Sequence, residues 1–298
     1  MTLLDSAPGT AGSGRTPDTA PARAGAGERR PALLLLPALL LLLVFFGVPL
    51  FGTVWRAFTD PQPGLANFAW FFETPANLDA LGRTFSTAAW VTLFALLLGY
   101  PYAYAMTLAG RRGLTVLTLL VLVPFWTSLM VRTFAWVILM QDTGLINQAL
   151  GAMGLGPLHL IRTQSGVVVA MVQMLMPFMV LPLYAVMSGI DRRHLLAARS
   201  LGARPITAFW QVYVPLSLPG VAAGALTVFI NALGFYVTPA LLGSPQDSLL
   251  SQEIFTQVNG LLEWGRGGAM GVVLLGMTLA LLAMGALTLR FGGRRRGR

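Results

Sequence analysis

Six long apolar stretches separated by short polar segments organise the chain between residues 32 and 290. A helix needs about 20 apolar residues to cross the hydrocarbon core of a bilayer, and each stretch meets that length. We therefore predict six transmembrane helices, at about 32–55, 84–109, 114–140, 165–187, 217–243 and 268–289. Prolines and glycines within them predict bent helices, which are tolerated where neighbouring helices or water satisfy the freed backbone groups.

The segments outside the spans are polar and short. Residues 1–31 are rich in glycine, alanine and proline and predict a disordered tail, and residues 291–298 form a basic tail. The first apolar run, 32–55, is longer than the core of a secretory signal peptide, which is about 7 to 15 residues. We interpret it as an uncleaved first span.

The arginine distribution predicts the orientation of the six spans. Residues 1–31, 110–113, 188–216 and 290–298 together hold fifteen arginines and four acidic residues, whereas the segments on the other side hold five arginines and seven acidic residues. Because arginine accumulates in cytoplasmic loops, both termini are predicted to be cytoplasmic. An even number of spans returns the chain to its starting side, in agreement with this assignment.

The composition excludes several classes of protein. Hydrophobic residues make up 55% of the chain and charged residues only 10%, which is incompatible with an ordinary soluble domain. The net charge of +9 comes from arginines in short clusters between apolar runs, so we predict membrane topology rather than a nucleic-acid partner. The chain contains no lysine and no cysteine, which excludes a P-loop ATPase and thiolate chemistry.

The chemistry inside the predicted spans is uncharged apart from one arginine. None of the six contains aspartate, glutamate or histidine, groups that ion-coupled carriers use within the membrane. This disfavours a stand-alone secondary carrier, although sodium held by backbone carbonyls keeps that alternative open. The same absence predicts no catalytic residues and no metal site, so a membrane-embedded enzyme ranks last.

Five side chains are candidates for a substrate pathway because they carry polar or amphipathic groups at membrane depth. Each also has an ordinary structural explanation: an arginine reaching the interface beside a tryptophan, or hydrogen bonds between helices. The candidates are Arg132, Trp136, Gln173, Asn231 and Tyr236.

The segment 188–216 is the sizeable polar loop on the predicted cytoplasmic side, and it carries helix signals at both ends. Asp191 predicts a helix start, and Gly202 followed by Pro205 predicts its end. A helix of about ten residues spans roughly 15 Å, too short to cross a membrane. Ala198 and Gly202 are four residues apart, which predicts a face open to close approach by a partner. The predicted apolar stripe is Leu195, Leu196, Ala198 and Leu201.

The run "LAARSLGARPITAFWQVYVPLSLPG" resembles the EAA loop of the inner-membrane permeases of ATP-binding cassette importers. That pattern reads E-A-A, three residues, G, nine residues, I, one residue, L-P. Leu196 occupies the position of the usual glutamate, which is a departure from the pattern. The residues in register are Ala197, Ala198, Gly202, Val212, Val214 and Pro215, with valine in place of the two aliphatic residues.

Two further stretches, 122–150 and 220–243, are similar to permeases of the spermidine/putrescine type, and the resemblance covers roughly residues 34–290. It implies an all-α integral membrane protein with six helices in the type I importer arrangement, placed in the bacterial inner membrane with both termini cytoplasmic. It implies transport of polyamines or a related small solute, with no enzymatic activity and no cofactor in this chain.

The resemblance also implies partners. In that family a coupling helix in the loop docks on a separate ATPase subunit, which binds ATP and Mg²⁺, while a second permease completes a heterodimer and an external binding protein delivers the solute. The residues this assigns to docking are Asp191, Leu195, Leu196, Ala197, Ala198, Leu201, Gly202 and Pro215.

Overall fold

The computed structural model describes the backbone of residues 29–295 and the side chains of residues 36–285. This part of the chain is helical and contains no strand. Shorter π-helical turns occur at Leu43–Gly47, Phe209–Tyr213 and Thr256–Gly260, and a 3₁₀ turn at Pro245–Asp247. The α-helices are α1 Arg29–Leu42, α2 Val48–Thr59, α3 Ala66–Glu73, α4 Pro75–Leu108, α5 Arg111–Trp126, α6 Leu129–Met140, α7 Leu145–Ala152, α8 Gln164–Ser188, α9 Arg193–Ser200, α10 Pro205–Ala208, α11 Val214–Leu233, α12 Val237–Leu242, α13 Leu250–Phe255 and α14 Trp264–Arg295.

Contacts divide the chain into two units between Phe51 and Gly52, and the architecture below concerns the second. The predicted disordered tail lies outside the described residues except for positions 29–31, where α1 begins. At the other end, α14 continues to Arg295, so most of the predicted basic tail is helical and residues 296–298 lie outside the description.

Six stretches are long and apolar enough to cross a membrane, as predicted. Their bounds differ from those of the predicted spans, most of all at the third and fifth crossings, and the second stretch begins at Pro75 rather than near residue 84. The stretches are Leu36–Thr59, Pro75–Leu108, Leu129–Ala152, Gln164–Ser188, Pro205–Leu233 and Trp264–Gly285.

The third predicted span, 114–140, is not one helix. It consists of α5 and α6 in series, and the backbone between them leaves the helical conformation at Thr127 and Ser128. Pro124 lies in the last turn of α5, and its carbonyl accepts hydrogen bonds from the Thr127 backbone N–H and hydroxyl, which close the end of that helix. The apolar character then continues through α6 into α7, which explains the candidate stretch Leu129–Ala152.

The fifth predicted span, 217–243, is displaced towards the loop. Helical structure begins at Pro205, so the second half of the predicted loop 188–216 already belongs to the fifth stretch. It ends at Leu233, because Gly234 and Phe235 leave the helical conformation before the short α12.

Helix α8 forms the centre of the second unit, packed against α4 and α11. Met179 lies at the closest approaches: a Cβ atom on Gly99 of α4 would be 2.9 Å from its Cγ, and one on Gly224 of α11 would be 2.9 Å from its Sδ. Glycine at such points lets membrane helices approach each other closely. A smaller apolar cluster near the N-terminal end of α4 includes Phe71 and Met270 and joins α3, α4, α13 and α14.

Candidate functional site

The short helix α9, in the loop between the fourth and fifth crossings, begins where the sequence predicts. The Asp191 Oδ1 atom accepts a hydrogen bond from the backbone N–H of Arg193 at 2.8 Å. The first four N–H groups of a helix lack partners within it, so this carboxylate satisfies one of them and places negative charge at the positive end of the helix. Asp191 thus has the predicted local role.

The end of α9 is formed by a Schellman motif. The Gly202 N–H donates to the Arg199 carbonyl at 3.0 Å, and the Ala203 N–H donates to the Ala198 carbonyl at 3.1 Å. Gly202 has φ of +90°, in the left-handed region that favours glycine. The prediction that Gly202 shares a helix face with Ala198 is therefore wrong, because α9 ends at Ser200. Position 202 favours glycine because of its positive φ and not because of crowding, since a Cβ atom there would meet no neighbour within 4 Å.

The apolar residues of the loop divide into an inner and an outer group. Leu195 packs against the core of its own chain, so it does not belong to the outward face on which the sequence placed it. Leu196 and Leu201 are 58% and 89% exposed. Further along, Ile206 and Trp210 are 68% and 64% exposed. Ile206 and Trp210 belong to the fifth candidate membrane stretch, Pro205–Leu233, so the polar loop itself presents Leu196 and Leu201 outward.

The remaining docking candidates lie beside this surface. Ala197 on α9 is exposed and Ala198 is half-buried. Pro215 is exposed and follows the π-helical turn Phe209–Tyr213, a local irregularity of the kind that accommodates proline within a continuous membrane helix. An aromatic cluster that no local sequence pattern indicates packs the first turns of the fifth stretch against α4. The ring of Tyr104 lies 5.3 Å from Phe209 and 5.2 Å from Tyr213, in edge-to-face geometry.

Two of the pathway candidates are brought together within the membrane region. Trp136 Nε1 donates a hydrogen bond to Gln173 Oε1 at 3.2 Å, joining α6 to α8. Both side chains line a cavity of about 850 Å³ bounded by α4, α5, α6 and α8. Its wall is mainly apolar and aromatic, with Trp90 and Tyr102 among the rings, and contains no charged side chain.

The other three pathway candidates do not line this cavity. Arg132 is half-buried on α6, and its buried Nε atom has no hydrogen-bond partner among the described residues. Asn231 is exposed and donates to the carbonyl of Thr227 within its own helix at 2.8 Å. Tyr236 stacks on Phe255 with ring centroids 4.7 Å apart. The structure thus groups two of the five predicted residues and separates the rest.

No cluster of three or more histidine, cysteine, aspartate or glutamate side chains suitable for a metal occurs within the described part of the chain. The described histidine that pairs with an acid is His159, whose Nδ1 lies 2.9 Å from Asp142 Oδ1 in an exposed position. A surface pair of this kind has neither the burial nor the third ligand that a metal centre needs.

A protein-family model described as "Binding-protein-dependent transport system inner membrane component" matches residues 95–293. The match includes α8, the loop, α11 and most of α14. The chain belongs to this family.

Relatives of this inner membrane component include the spermidine/putrescine transport system permease protein PotB of Haemophilus influenzae, 32% identical over 84% of this chain and 86% of the relative. The inner membrane ABC transporter permease protein YdcU of Escherichia coli is 31% identical over 76% of this chain and 82% of the relative. The fold resembles a chain in the crystal structure of a bacterial alginate ABC transporter in complex with an alginate pentasaccharide-bound periplasmic protein, with a TM-score of 0.73, 16% identity and coverage of 85% and 91%.

The inner membrane component is therefore a multi-pass permease subunit of an ATP-binding cassette importer. It is a transport subunit rather than an enzyme, and ATP hydrolysis takes place on a separate chain. Membership of the family implies that the subunit works with an ATPase, a second permease and a substrate-binding protein.

Proposed function

We propose that this chain is the permease subunit of an importer for polyamines such as spermidine and putrescine, or for a related small solute, and that α9 is its docking helix for the ATPase. The observation that carries the docking assignment is the outward surface formed by Leu196 and Leu201, which lie between the fourth and fifth candidate membrane stretches. We refer to these two residues as the docking surface.

The docking surface differs from the lipid-facing leucines of the spans because it lies in a segment too polar for the bilayer. Four arginines occur between residues 188 and 216, on the side predicted to be cytoplasmic. Large apolar side chains that are grouped at the surface outside a membrane are typical of a protein interface. A short helix presenting leucines fits the general mode in which an amphipathic helix lies in a groove of its partner.

The partner that this surface would meet is the ATPase, which carries ATP and Mg²⁺ in this proposal. Because the chain has no lysine, it lacks the P-loop lysine that would bind nucleotide phosphates. Energy therefore has to arrive through contact with another subunit. A second, different six-span permease and an external binding protein complete the proposed assembly.

The identity of the solute is supported by the relatives and by the cavity beside α8. The PotB relative is named for spermidine and putrescine. The cavity lined by Trp136 and Gln173 offers aromatic faces and an amide group without any charged side chain. Cations bind aromatic faces with about 0.5 to 2 kcal/mol per contact. Such a wall suits transient passage of an organic cation, because no carboxylate is present to hold it tightly.

Copurification tests the docking assignment. An ATPase subunit should be recovered with the unaltered permease and lost with Leu201→Asp, which places a charge on the most exposed leucine of the docking surface. The matched control is Leu155→Asp, at a leucine of similar type that is 53% exposed in a segment predicted to be external. Retention of the ATPase by Leu201→Asp would contradict docking through α9. Uptake by the permease alone, driven by an ion gradient, would establish a secondary carrier instead.

A further inference from the structure

Arg192 connects the loop to a span that is remote in sequence. Its Nη2 atom donates a hydrogen bond to the backbone carbonyl of Thr107 at 2.7 Å, across 85 positions of the chain. Thr107 lies in the last turn of α4, which ends at Leu108. The last four carbonyls of a helix lack donors within it, so an external donor is needed here. Arg192 supplies that donor.

The charge of Arg192 suits this position. The C-terminal end of a helix carries partial negative charge, which a nearby arginine stabilises. The described hydrogen bond uses one nitrogen of a planar guanidinium group that carries five N–H donors in a fixed arrangement. Because the acceptor is a backbone carbonyl, this hydrogen bond can hold Arg192 against the end of α4 whatever side chain residue 107 carries.

The contact lies next to the start of the docking helix. Arg192 directly precedes α9, which begins at Arg193, and α8 ends only four residues earlier at Ser188. A cavity of about 310 Å³ separates this part of the loop from the end of α4, and its wall includes Thr107, Leu108, Arg192 and Leu195. The hydrogen bond from Arg192 to the Thr107 carbonyl joins the two sides of that cavity.

Sequence order alone connects the docking helix to α8 on one side and to α10 and α11 on the other. Helix α4 packs against α8 and α11 along the membrane region but is not joined to the loop by the chain. We propose that Arg192 is a positioning residue that fixes the start of α9 to the C-terminal end of α4. Movement of the docking helix is then passed directly to α4 as well as to α8 and α11.

This inference rests on the proposed function, since it assumes that α9 is the element on which the ATPase acts. The experiment compares Arg192→Ala, Arg192→Lys and Arg193→Ala in the complete importer reconstituted in liposomes. Arg193 is the matched control because it is exposed on the same turn, and the contact described for it involves its backbone N–H alone. ATPase recovery, ATP hydrolysis and solute uptake are measured for each variant.

Arg192→Ala should retain the ATPase but lower the solute taken up per ATP hydrolysed by about two- to fivefold, the range expected for loss of a charged contact that is exposed to solvent. Arg192→Lys should restore much of that ratio, because lysine keeps a charged donor, and Arg193→Ala should behave like the unaltered protein. A normal ratio in Arg192→Ala would overturn the inference. Failure of the unaltered permease to bind an ATPase would instead contradict the proposed function.

A structural readout separates positioning from a general loss of stability. The chain contains no cysteine, so Leu108→Cys and Arg199→Cys provide a specific pair of sites for spin labels. Both native side chains are exposed. The distribution of distances between the labels should be narrow with Arg192, broad with Arg192→Ala and narrow again with Arg192→Lys. An unchanged distribution in Arg192→Ala would overturn the inference.

Discussion

Two consecutive helices, α8 and α9, differ in how far their apolar side chains are buried. In α8, 67% of the most apolar 18-residue stretch is buried inside the protein. In α9, no residue is buried, and Leu196 points outward. Exposed apolar residues on the candidate membrane stretches need no explanation, since lipid surrounds them. In the polar segment that carries α9, outside the candidate membrane stretches, the same exposure favours a partner, so the meaning of an exposed leucine depends on its surroundings.

The largest expected effect comes from disrupting the buried helix. In Gly224→Val the new side chain would be forced into Met179, whose backbone oxygen would lie 3.0 Å from the Cβ atom. Overpacking of this kind costs about 1 to 3 kcal/mol or more, so we expect a marked fall in the thermal unfolding temperature of the detergent-purified protein.

The control for this change is Gly276→Val in α14, where a Cβ atom would meet no neighbour within 4 Å and the position is exposed. It should unfold close to the temperature of the unaltered protein. Equal destabilisation by the two substitutions would mean that close packing on α8 does not distinguish this helix from the rest.

The next effect in size concerns the end of α9. Gly202→Val would force a branched residue into the left-handed conformation, at a cost of about 1 to 2 kcal/mol. The Schellman motif should open and displace Leu201, so we expect several-fold weaker recovery of the ATPase with an unchanged yield of folded permease.

Asparagine tolerates the left-handed conformation, which makes Gly202→Asn the matched control. It should bind the ATPase nearly as well as glycine does. If asparagine and valine weaken binding equally, then the absence of a side chain matters at this position, as in the face predicted from sequence, rather than the backbone conformation.

The contrast between α8 and α9 also shows what the sequence can predict. The cap that Asp191 forms before α9 and the end of α9 near Gly202 depend on residues only a few positions apart, so the spacing of residues in the sequence is sufficient to predict both. The inward position of Leu195 depends on how α8 and α4 pack, and helical periodicity defines a face without saying what that face meets. The resemblance to the EAA loop supplied the docking hypothesis but not which side chains point outward.

Long-range contacts explain the other differences. The hydrogen bond between Trp136 and Gln173 joins positions 37 apart, and that between Arg192 and Thr107 joins positions 85 apart. No local pattern encodes such pairs. The break between α5 and α6 is predicted only in part: Pro124 predicts a bend, but apolar composition continues past it, and length and hydropathy alone do not register that the backbone leaves the helical conformation.

A moderate effect is expected at Leu196, the position where this chain departs from the EAA pattern. Leu196 is 58% exposed, so Leu196→Glu should change the free energy of unfolding by no more than about 0.5 kcal/mol. Binding of the ATPase should weaken about fivefold, because loss of part of a leucine contact costs about 1 kcal/mol. Titration of the purified ATPase against the reconstituted permease measures this.

Leu196→Met keeps the volume and apolar character and should bind normally. Tighter binding by Leu196→Glu would show that this subunit has lost a polar contact that its ATPase can still make. In that case the outward leucine of α9 would be a tolerated substitution and not part of the docking surface.

The smallest effect is expected inside the cavity, where the bond between Trp136 and Gln173 joins the buried α8 to α6. Hydrogen bonds between membrane helices contribute about 0.6 kcal/mol on average, so Trp136→Phe and Gln173→Leu should each lower uptake about two- to threefold. The double variant should be little worse than either one, because both remove the same interaction. Asn231→Leu, whose amide bonds only within its own helix among the described contacts, serves as the control and should leave uptake unchanged. Additive losses in the double variant would show that the two side chains act separately, and normal uptake in all variants would remove this cavity from the proposed pathway.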